Sequence, residues 1–197
     1  MTDQTMQFQA LMEVKGAPLR IGVDVGGVLS SKAKEYESDH PAANRLETGF
    51  DVPGCIEALK VLRFKGHKLF IVSFCGEKRA KETHKLFQAK YADLFDDAFF
   101  VKNRKFKHDI AVHLGLDCMI DDRLDILQNM STVHRLHFIG DLPAHQVEKD
   151  AQEKKTRRCT VKNWVQAVET IDRLGPRGNK PDDSIDVKAF CYCRFTK

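Results

Sequence analysis

The chain has 197 residues, of which 42% are hydrophobic and 30% charged, and it carries a net charge of +4 at pH 7. This composition is typical of one globular domain with a substantial core, and the small positive charge excludes a protein that coats nucleic acid. No apolar run approaches the ~18 residues needed to cross a bilayer, and the first residues show no secretory signal. The sequence therefore predicts a cytoplasmic protein without membrane contact.

Segments with the patterns of strands and helices alternate after an N-terminal extension over residues 1–18. Strands are predicted over 19–23, 69–72, 98–101, 118–120, 135–139 and 159–161, and helices over 55–64, 77–89, 107–114, 124–130 and 163–174. This alternation predicts an α/β fold over residues 19–174. We expect a three-layer sandwich, in which helices cover both faces of a parallel Rossmann-like sheet.

The composition changes at Gly175, where glycine, proline and charged residues replace the apolar periodicity. Residues 175–197 are therefore predicted to form a flexible C-terminal tail that is dispensable for folding, although the apolar residues of 190–195 could dock on the domain. The six cysteines are expected to be reduced thiols. Cys191 and Cys193 could bind zinc, but no second pair of ligands accompanies them.

Polar side chains follow three of the predicted strands. Asp24 follows the first strand, Ser73 closes the second, and Asp121 and Asp122 follow the fourth. Because the carboxyl ends of parallel strands meet at one edge of a sheet, these groups are expected to lie together. Carboxylates in that arrangement suit a divalent cation, and hence phosphate chemistry. Taken singly, Ser73 and the Asp121–Asp122 pair could instead cap the helices that follow.

In this order the motifs resemble those of the haloacid dehalogenase (HAD) superfamily of phosphohydrolases, over residues 19–174. The first family motif, Asp-x-Asp-Gly after a strand, is similar to the segment Asp24 to Gly27. Ser73 matches the second motif, and Asp121–Asp122 match the fourth. The third motif is a lysine ahead of the fourth strand; Lys107 is the best placed, with Lys102 and Lys105 as alternatives. The resemblance also implies a strand order of 5-4-1-2-3.

The resemblance implies a mechanism and a cofactor. Asp24 would attack phosphorus to give an aspartyl-phosphate, while Ser73 and Lys107 hold the phosphoryl group. Mg²⁺ would be bound by Asp24, the Gly26 carbonyl and one or both of Asp121 and Asp122. The expected substrate is a phosphomonoester, with a nucleotide or a nucleic-acid end among the candidates.

Gly26 departs from the family motif, because it stands where the family has a second acid that protonates the leaving group. This favours a slow phosphatase or, as the alternative, a catalytically inactive module that binds phosphate or a partner protein. A dehalogenase fits less well, since that chemistry needs no metal and gives no role to Asp121–Asp122.

Segments 30–52 and 74–97 are too short to hold a full cap domain, so an open site is expected. An open site suits a macromolecular substrate. The basic stretch from Lys102 to His108 is compatible with a polyanion there, and equally with a solvated surface loop.

Overall fold

The computed structural model describes residues 8, 10–13, 16–31, 49–140 and 159–196. These residues form an α/β fold with seven strands and six helices. The strands are β1 (Arg20–Val23), β2 (Lys68–Phe74), β3 (Asp97–Val101), β4 (Cys118–Asp121), β5 (His134–Phe138), β6 (Cys159–Val161) and β7 (Cys191–Thr196). The helices are α1 (Cys55–Phe64), α2 (Glu77–Lys90), α3 (Phe106–His113), α4 (Leu124–Leu127), α5 (Trp164–Ile171) and α6 (Val187–Phe190).

All seven strands belong to one sheet, in the order β6-β5-β4-β1-β2-β3-β7. The first six strands are parallel, and β7 pairs antiparallel with β3. The predicted order 5-4-1-2-3 is confirmed. The central position of β1 places the end of this strand between the ends of β2 and β4, which is where a ligand site of a parallel α/β sheet is expected.

Alternate residues of the central strands belong to two separate hydrophobic clusters. Ile71 belongs to the cluster that also contains Leu59 of α1, Phe87 of α2 and Trp164 of α5. Val72, the next residue of β2, belongs to the cluster that also contains residues of α3 and α4. The central strands are therefore buried on both sides, which explains why they read as nearly continuous apolar runs.

The helices begin close to their predicted positions, but two of them end clearly earlier. α4 ends at Leu127 and α5 ends at Ile171, three residues before the predicted ends. The start of α5 is fixed by the side chain of Asn163, which accepts a hydrogen bond from the Gln166 N–H at 2.9 Å. Part of the predicted N-terminal extension contributes to the core, because Phe8 is buried there.

The prediction that residues 175–197 form a flexible tail is wrong, and the alternative that the apolar residues of 190–195 dock on the domain is confirmed. The Arg177 N–H donates a hydrogen bond to Asp117 at 2.6 Å, and Pro181 packs so closely on Gly115 that an added Cβ there would lie 2.7 Å from the proline nitrogen. The segment then forms α6 and completes the sheet with β7, in which Cys191 is buried. The physical reason is β3, whose residues are all buried and whose outer edge needs hydrogen-bond partners.

The segment between β2 and β3 contains only α2, as the predicted absence of a cap domain requires there. The same prediction for residues 30–52 concerns mainly residues 32–48, which lie outside the described residues. In the described ranges, no helix has both the length and the apolar character that a membrane span needs. All six cysteines are free thiols.

We predict that truncation after Leu174 lowers the melting temperature by at least ~6 °C. The truncation removes the strand paired with β3 and the buried Val187 and Cys191, a loss of at least about 3 kcal/mol, and 1 kcal/mol corresponds to about 2–4 °C in a chain of this size. Thermal unfolding followed by circular dichroism measures the change.

A point variant tests the same packing without deleting the segment. Gly115 has a φ of 56°, and its substitution by Ala would also press on the backbone of Pro181. Gly115→Ala is therefore expected to be destabilising, whereas Gly175→Ala, which meets nothing within 4 Å, is the matched control. Equal melting temperatures for the two variants would contradict the close packing of the segment.

Candidate functional site

Asp24 lies directly after β1, at the start of a tight turn. Its backbone N–H donates to the carbonyl of Ile120 in β4 at 3.0 Å, which ties the end of β1 to the end of its neighbour. The turn closes through Gly27, which has a φ of 78° and donates to the carbonyl of Ser30 at 2.8 Å. The indole N–H of Trp164 donates to the Val28 carbonyl at 3.0 Å and anchors the turn to α5. These contacts hold the backbone of the turn that carries Asp24.

Lys107 bridges the two strand ends. Its ammonium nitrogen lies 3.0 Å from Oδ1 of Asp24 and 2.7 Å from Oδ2 of Asp121. Lys107 is 1% exposed, Asp121 is 0% exposed and Asp24 is 6% exposed, so both ion pairs are shielded from water. The first turn of α3 delivers the lysine, since Lys107, Ile110 and Ala111 are spaced to share the buried face of that helix.

Asp122 completes an acidic cluster with Asp24 and Asp121. One carboxylate oxygen from each of the three residues lies within 4.8 Å of the others, and all three residues are buried. Backbone contacts hold the pair of acids: the Arg123 N–H donates to Oδ1 of Asp121 at 2.9 Å. Nε2 of His137 lies 3.2 Å from the Asp122 carbonyl oxygen, and because that oxygen only accepts, Nε2 carries the proton.

The cluster holds more negative charge than one lysine can balance. Burial lowers the pKa of Lys107, but Asp121 and Asp24 raise it by more, so the ammonium stays charged. Burial raises the pKa of Asp121, and the negative charges of Asp24 and Asp122 act in the same direction against the opposing effect of Lys107. Among the described residues, three carboxylates lie beside the Lys107 ammonium, and the partly exposed Arg123 guanidinium, which pairs with Asp125, is the next cation, so negative charge is in excess in this part of the chain.

Ser73 lies at the same edge of the sheet but does not contact the cluster. It sits near the end of β2 opposite Phe100 of β3, and it is 4% exposed. No hydrogen bond to its hydroxyl is formed by any of the residues that the structure describes. A buried hydroxyl without a partner is available for a ligand.

Gly26 lies in the turn, two residues after Asp24. It pairs with Ser30 in an isolated bridge, and an added Cβ would meet no heavy atom within 4 Å. Its φ is not in the left-handed region. A Cβ at this position would therefore not displace any of the described residues.

The structure separates the three candidate lysines. Lys107 is the one between the carboxylates, as the sequence favoured. Lys102 instead donates from its ammonium to the carbonyl of Lys188 at 3.0 Å, and Lys105 is exposed. His137 was not predicted from the sequence as a site residue; it lies in the middle of the predicted fifth strand and pairs with Asp121 across β4 and β5.

The donor set fits a hard divalent cation. Mg²⁺ and Ca²⁺ take oxygen ligands, and carboxylates that converge within 4.8 Å can contribute to one coordination sphere. The excess negative charge favours such an ion further. Asp24, Asp121 and Asp122 are the residues that would hold it; nothing in the geometry assigns the Gly26 carbonyl to the set.

Comparisons with known proteins support the fold and leave the family open. No protein-family model and no curated protein matches the sequence. Among the solved structures that are similar, one crystal structure has a TM-score of 0.51 and 13% sequence identity, over 79% of this chain and 95% of that one. A likeness at this identity shows that the chain shares an α/β fold with the solved protein, and nothing of its function.

We predict that Mg²⁺ raises the melting temperature of the protein. An ion that binds only the folded state at ~100 times its dissociation constant contributes about 2.7 kcal/mol, which corresponds to roughly 5–10 °C here. Asp122→Asn should lose most of this rise, because it removes one ligand of the cluster. Differential scanning fluorimetry across a Mg²⁺ titration measures both.

Asp125→Asn is the matched control for this titration. Asp125 lies three residues further along the chain, but its side chain is 60% exposed and pairs with Arg123. The Asp125→Asn variant should keep the full rise in melting temperature on addition of Mg²⁺. An equal rise in the Asp122 and Asp125 variants would show that the ion binds outside the cluster.

Proposed function

We propose that the protein is a Mg²⁺-dependent phosphohydrolase that acts on phosphomonoesters through an aspartyl-phosphate on Asp24. The observation that carries the proposal is the buried Lys107, which holds Asp24 and Asp121 on either side of its ammonium, with Asp122 alongside. A buried cluster with both signs of charge can hold a cation and a phosphate dianion at once.

Asp24 is proposed as the nucleophile. A carboxylate oxygen attacks phosphorus, the bond from phosphorus to the ester oxygen breaks, and the leaving alkoxide departs with the electron pair. Water then attacks the aspartyl-phosphate, releases inorganic phosphate and restores the carboxylate. A bound Mg²⁺ would lower the repulsion between the carboxylate and the phosphate dianion.

Lys107 and Ser73 have separate proposed roles. The ammonium of Lys107 keeps Asp24 oriented and offsets negative charge on the phosphoryl group. The Ser73 hydroxyl, which is buried at the same edge, would donate to a phosphoryl oxygen. Asp121 and Asp122 would hold the cation, with His137 fixing the backbone of Asp122.

Gly26 is the observation that favours a second candidate function. Without an acid at this position, no side chain of the motif protonates the leaving group, a contribution of about 10²–10⁴ in rate. The alternative is therefore an inactive module that binds phosphate or a partner protein with the same cluster. Metal binding is common to both candidates, whereas turnover separates them.

The proposal also covers the layer architecture and the compartment of the protein. The two hydrophobic clusters on alternate residues of the strands support a three-layer, HAD-like sandwich. The free thiols agree with a reducing compartment such as the cytoplasm.

We predict that the wild-type protein cleaves aryl phosphates faster than alkyl phosphates in the presence of Mg²⁺. Aryl leaving groups need no proton, so they are the least affected by the missing acid. Asp24→Asn should abolish turnover, and chelation of the metal should do the same. Release of inorganic phosphate measures all three.

We further predict that Gly26→Asp raises the rate on alkyl phosphates by ~10-fold or more, because it supplies the proton donor. The open space at Gly26 allows the side chain. Gly26→Ala is the matched control, since it adds a Cβ without an acid and should give no gain. If the wild type and all three variants were equally inactive on every ester, the binding module would replace the enzyme.

A further inference from the structure

We propose that the candidate site takes the phosphorylated end of a single-stranded nucleic acid, whose neighbouring phosphates bind a basic rim beside the acidic cluster. The basic rim consists of Lys78, Lys102, Arg104 and Lys105. This inference rests on the proposed function for the reaction, but binding by the rim can be measured without turnover.

The rim is built by two segments that leave the sheet side by side. Residues 75–79 follow β2 and residues 102–105 follow β3, and the last residues of these strands, Phe74 and Val101, are paired. Both segments therefore start at the edge that carries the acidic cluster. The two segments lie close enough for their charges to interact, because Lys81 and, from the other segment, Lys102 lower the pKa of Glu77.

In the two described segments that carry the rim, basic residues outnumber acidic residues. Residues 77–81 and 102–105 include six basic residues and one acidic residue, Glu77. Glu77 is already paired with Lys81 at 2.7 Å. Lys102 donates to the backbone carbonyls of Lys188 and Ala189, which orders its side chain without neutralising it. The rest of the rim has no carboxylate partner in the described part of the chain.

Arg104 connects the rim to the candidate site. Its guanidinium lies over the ring of Phe74 at 4.6 Å, and Phe74 follows Ser73 in the chain. Arg104 also precedes Lys107 by three residues. Arg104 is exposed, so the guanidinium that lies over Phe74 can offer its other side to a base while its N–H groups bind a phosphate.

This geometry favours a nucleic acid over a polyanion without bases. A lysine interacts with a polyanion only through its charge, whereas a guanidinium also offers a planar surface for stacking. Only an unpaired base can reach that surface. A single strand is therefore the better ligand. The adjacent groove beside β7 does not extend the basic rim, because its lining has as many acidic as basic residues. The basic residues are Lys102, Lys188 and Arg194, and the acidic residues are Glu77, Asp183 and Asp186.

The test measures binding of labelled oligothymidylate of about ten nucleotides, with or without a terminal phosphate at either end, by fluorescence anisotropy. The full-length Asp24→Asn variant with Mg²⁺ is used, so that the terminal phosphate is not lost. We expect a phosphorylated oligonucleotide to bind at least ~10-fold more tightly than thymidine monophosphate. If three phosphates contact the rim, the logarithm of the binding constant should fall against the logarithm of salt with a slope of about −2.

Variants of the rim separate charge from stacking. Lys78→Ala combined with Lys105→Ala should reduce the magnitude of the slope by about 1.4, since each lysine accounts for roughly 0.7. Arg104→Lys keeps the charge and the slope but should weaken oligonucleotide binding at least ~5-fold, because the stacking plane is lost. The same variant should leave the binding of inorganic polyphosphate unchanged.

Lys68→Ala combined with Arg173→Ala is the matched control. Both side chains are exposed near the opposite edge of the sheet, where β2 starts and α5 ends, and their loss should change nothing. The proposal is overturned if the oligonucleotide binds no better than the mononucleotide, if polyphosphate competes equally well per phosphate, or if the control pair weakens binding as much as the rim variants. Turnover of small esters without oligonucleotide binding would overturn only the proposed binding by the rim. Oligonucleotide binding that depends on the rim, without any turnover, would overturn only the proposed phosphatase activity.

Discussion

The ion pairs of Lys107 with Asp24 and Asp121 are the constraint on which the rest of the site depends. An ammonium without partners in the interior is costly, and removal of one partner from a buried ion pair costs about 3–5 kcal/mol. The lysine therefore holds the start of α3 against the ends of β1 and β4. This arrangement forces two carboxylates together, and Asp122 adds a third that the lysine cannot balance. Three converging carboxylates are a ligand set that one divalent cation can share.

The positions of the acids follow from the sequence because they depend on local patterns. A short apolar run that ends in an acid predicts a strand with its carboxylate at the carboxyl edge, and chain order brings these edges together in a parallel sheet. Which of Lys102, Lys105 and Lys107 lies at the acidic cluster is harder to predict from the sequence, because all three lie in one basic stretch. The phase of α3 decides it, since Lys107, Ile110 and Ala111 face the sheet together.

The C-terminal segment shows where such local reasoning ends. Residues 175–186 contain no apolar periodicity, yet they are held by hydrogen bonds from Arg177 and Asn179 to Asp117 and to backbone carbonyls. They lead to β7, whose place in the sheet is decided by the open edge of β3. The need of β3 for hydrogen-bond partners at its edge is a property of the whole sheet, and the sequence of residues 175–186 does not indicate it.

Gly26 and the basic rim together narrow the chemistry that the site can perform. In the proposed reaction, the glycine at position 26 gives no proton to a leaving group, while the acidic cluster repels polyanions in the absence of a cation. A rim of basic side chains at the mouth of the site opposes that repulsion, and the stacked Arg104 adds a surface for a base. A site of this kind is suited to a large phosphorylated ligand that is held mainly by contacts away from the reacting phosphorus.

Anomalous scattering from crystals grown with Mn²⁺, which shares the oxygen ligands of Mg²⁺, would locate a cation in the cluster. We expect one strong manganese peak among the carboxylates of Asp24, Asp121 and Asp122, at ligand distances of roughly 2 Å. The peak should disappear in Asp122→Asn crystals and persist in Asp125→Asn crystals. A fully ordered cluster with Lys107 in place, and no peak at saturating Mn²⁺, would contradict a metal-dependent phosphoryl-transfer site.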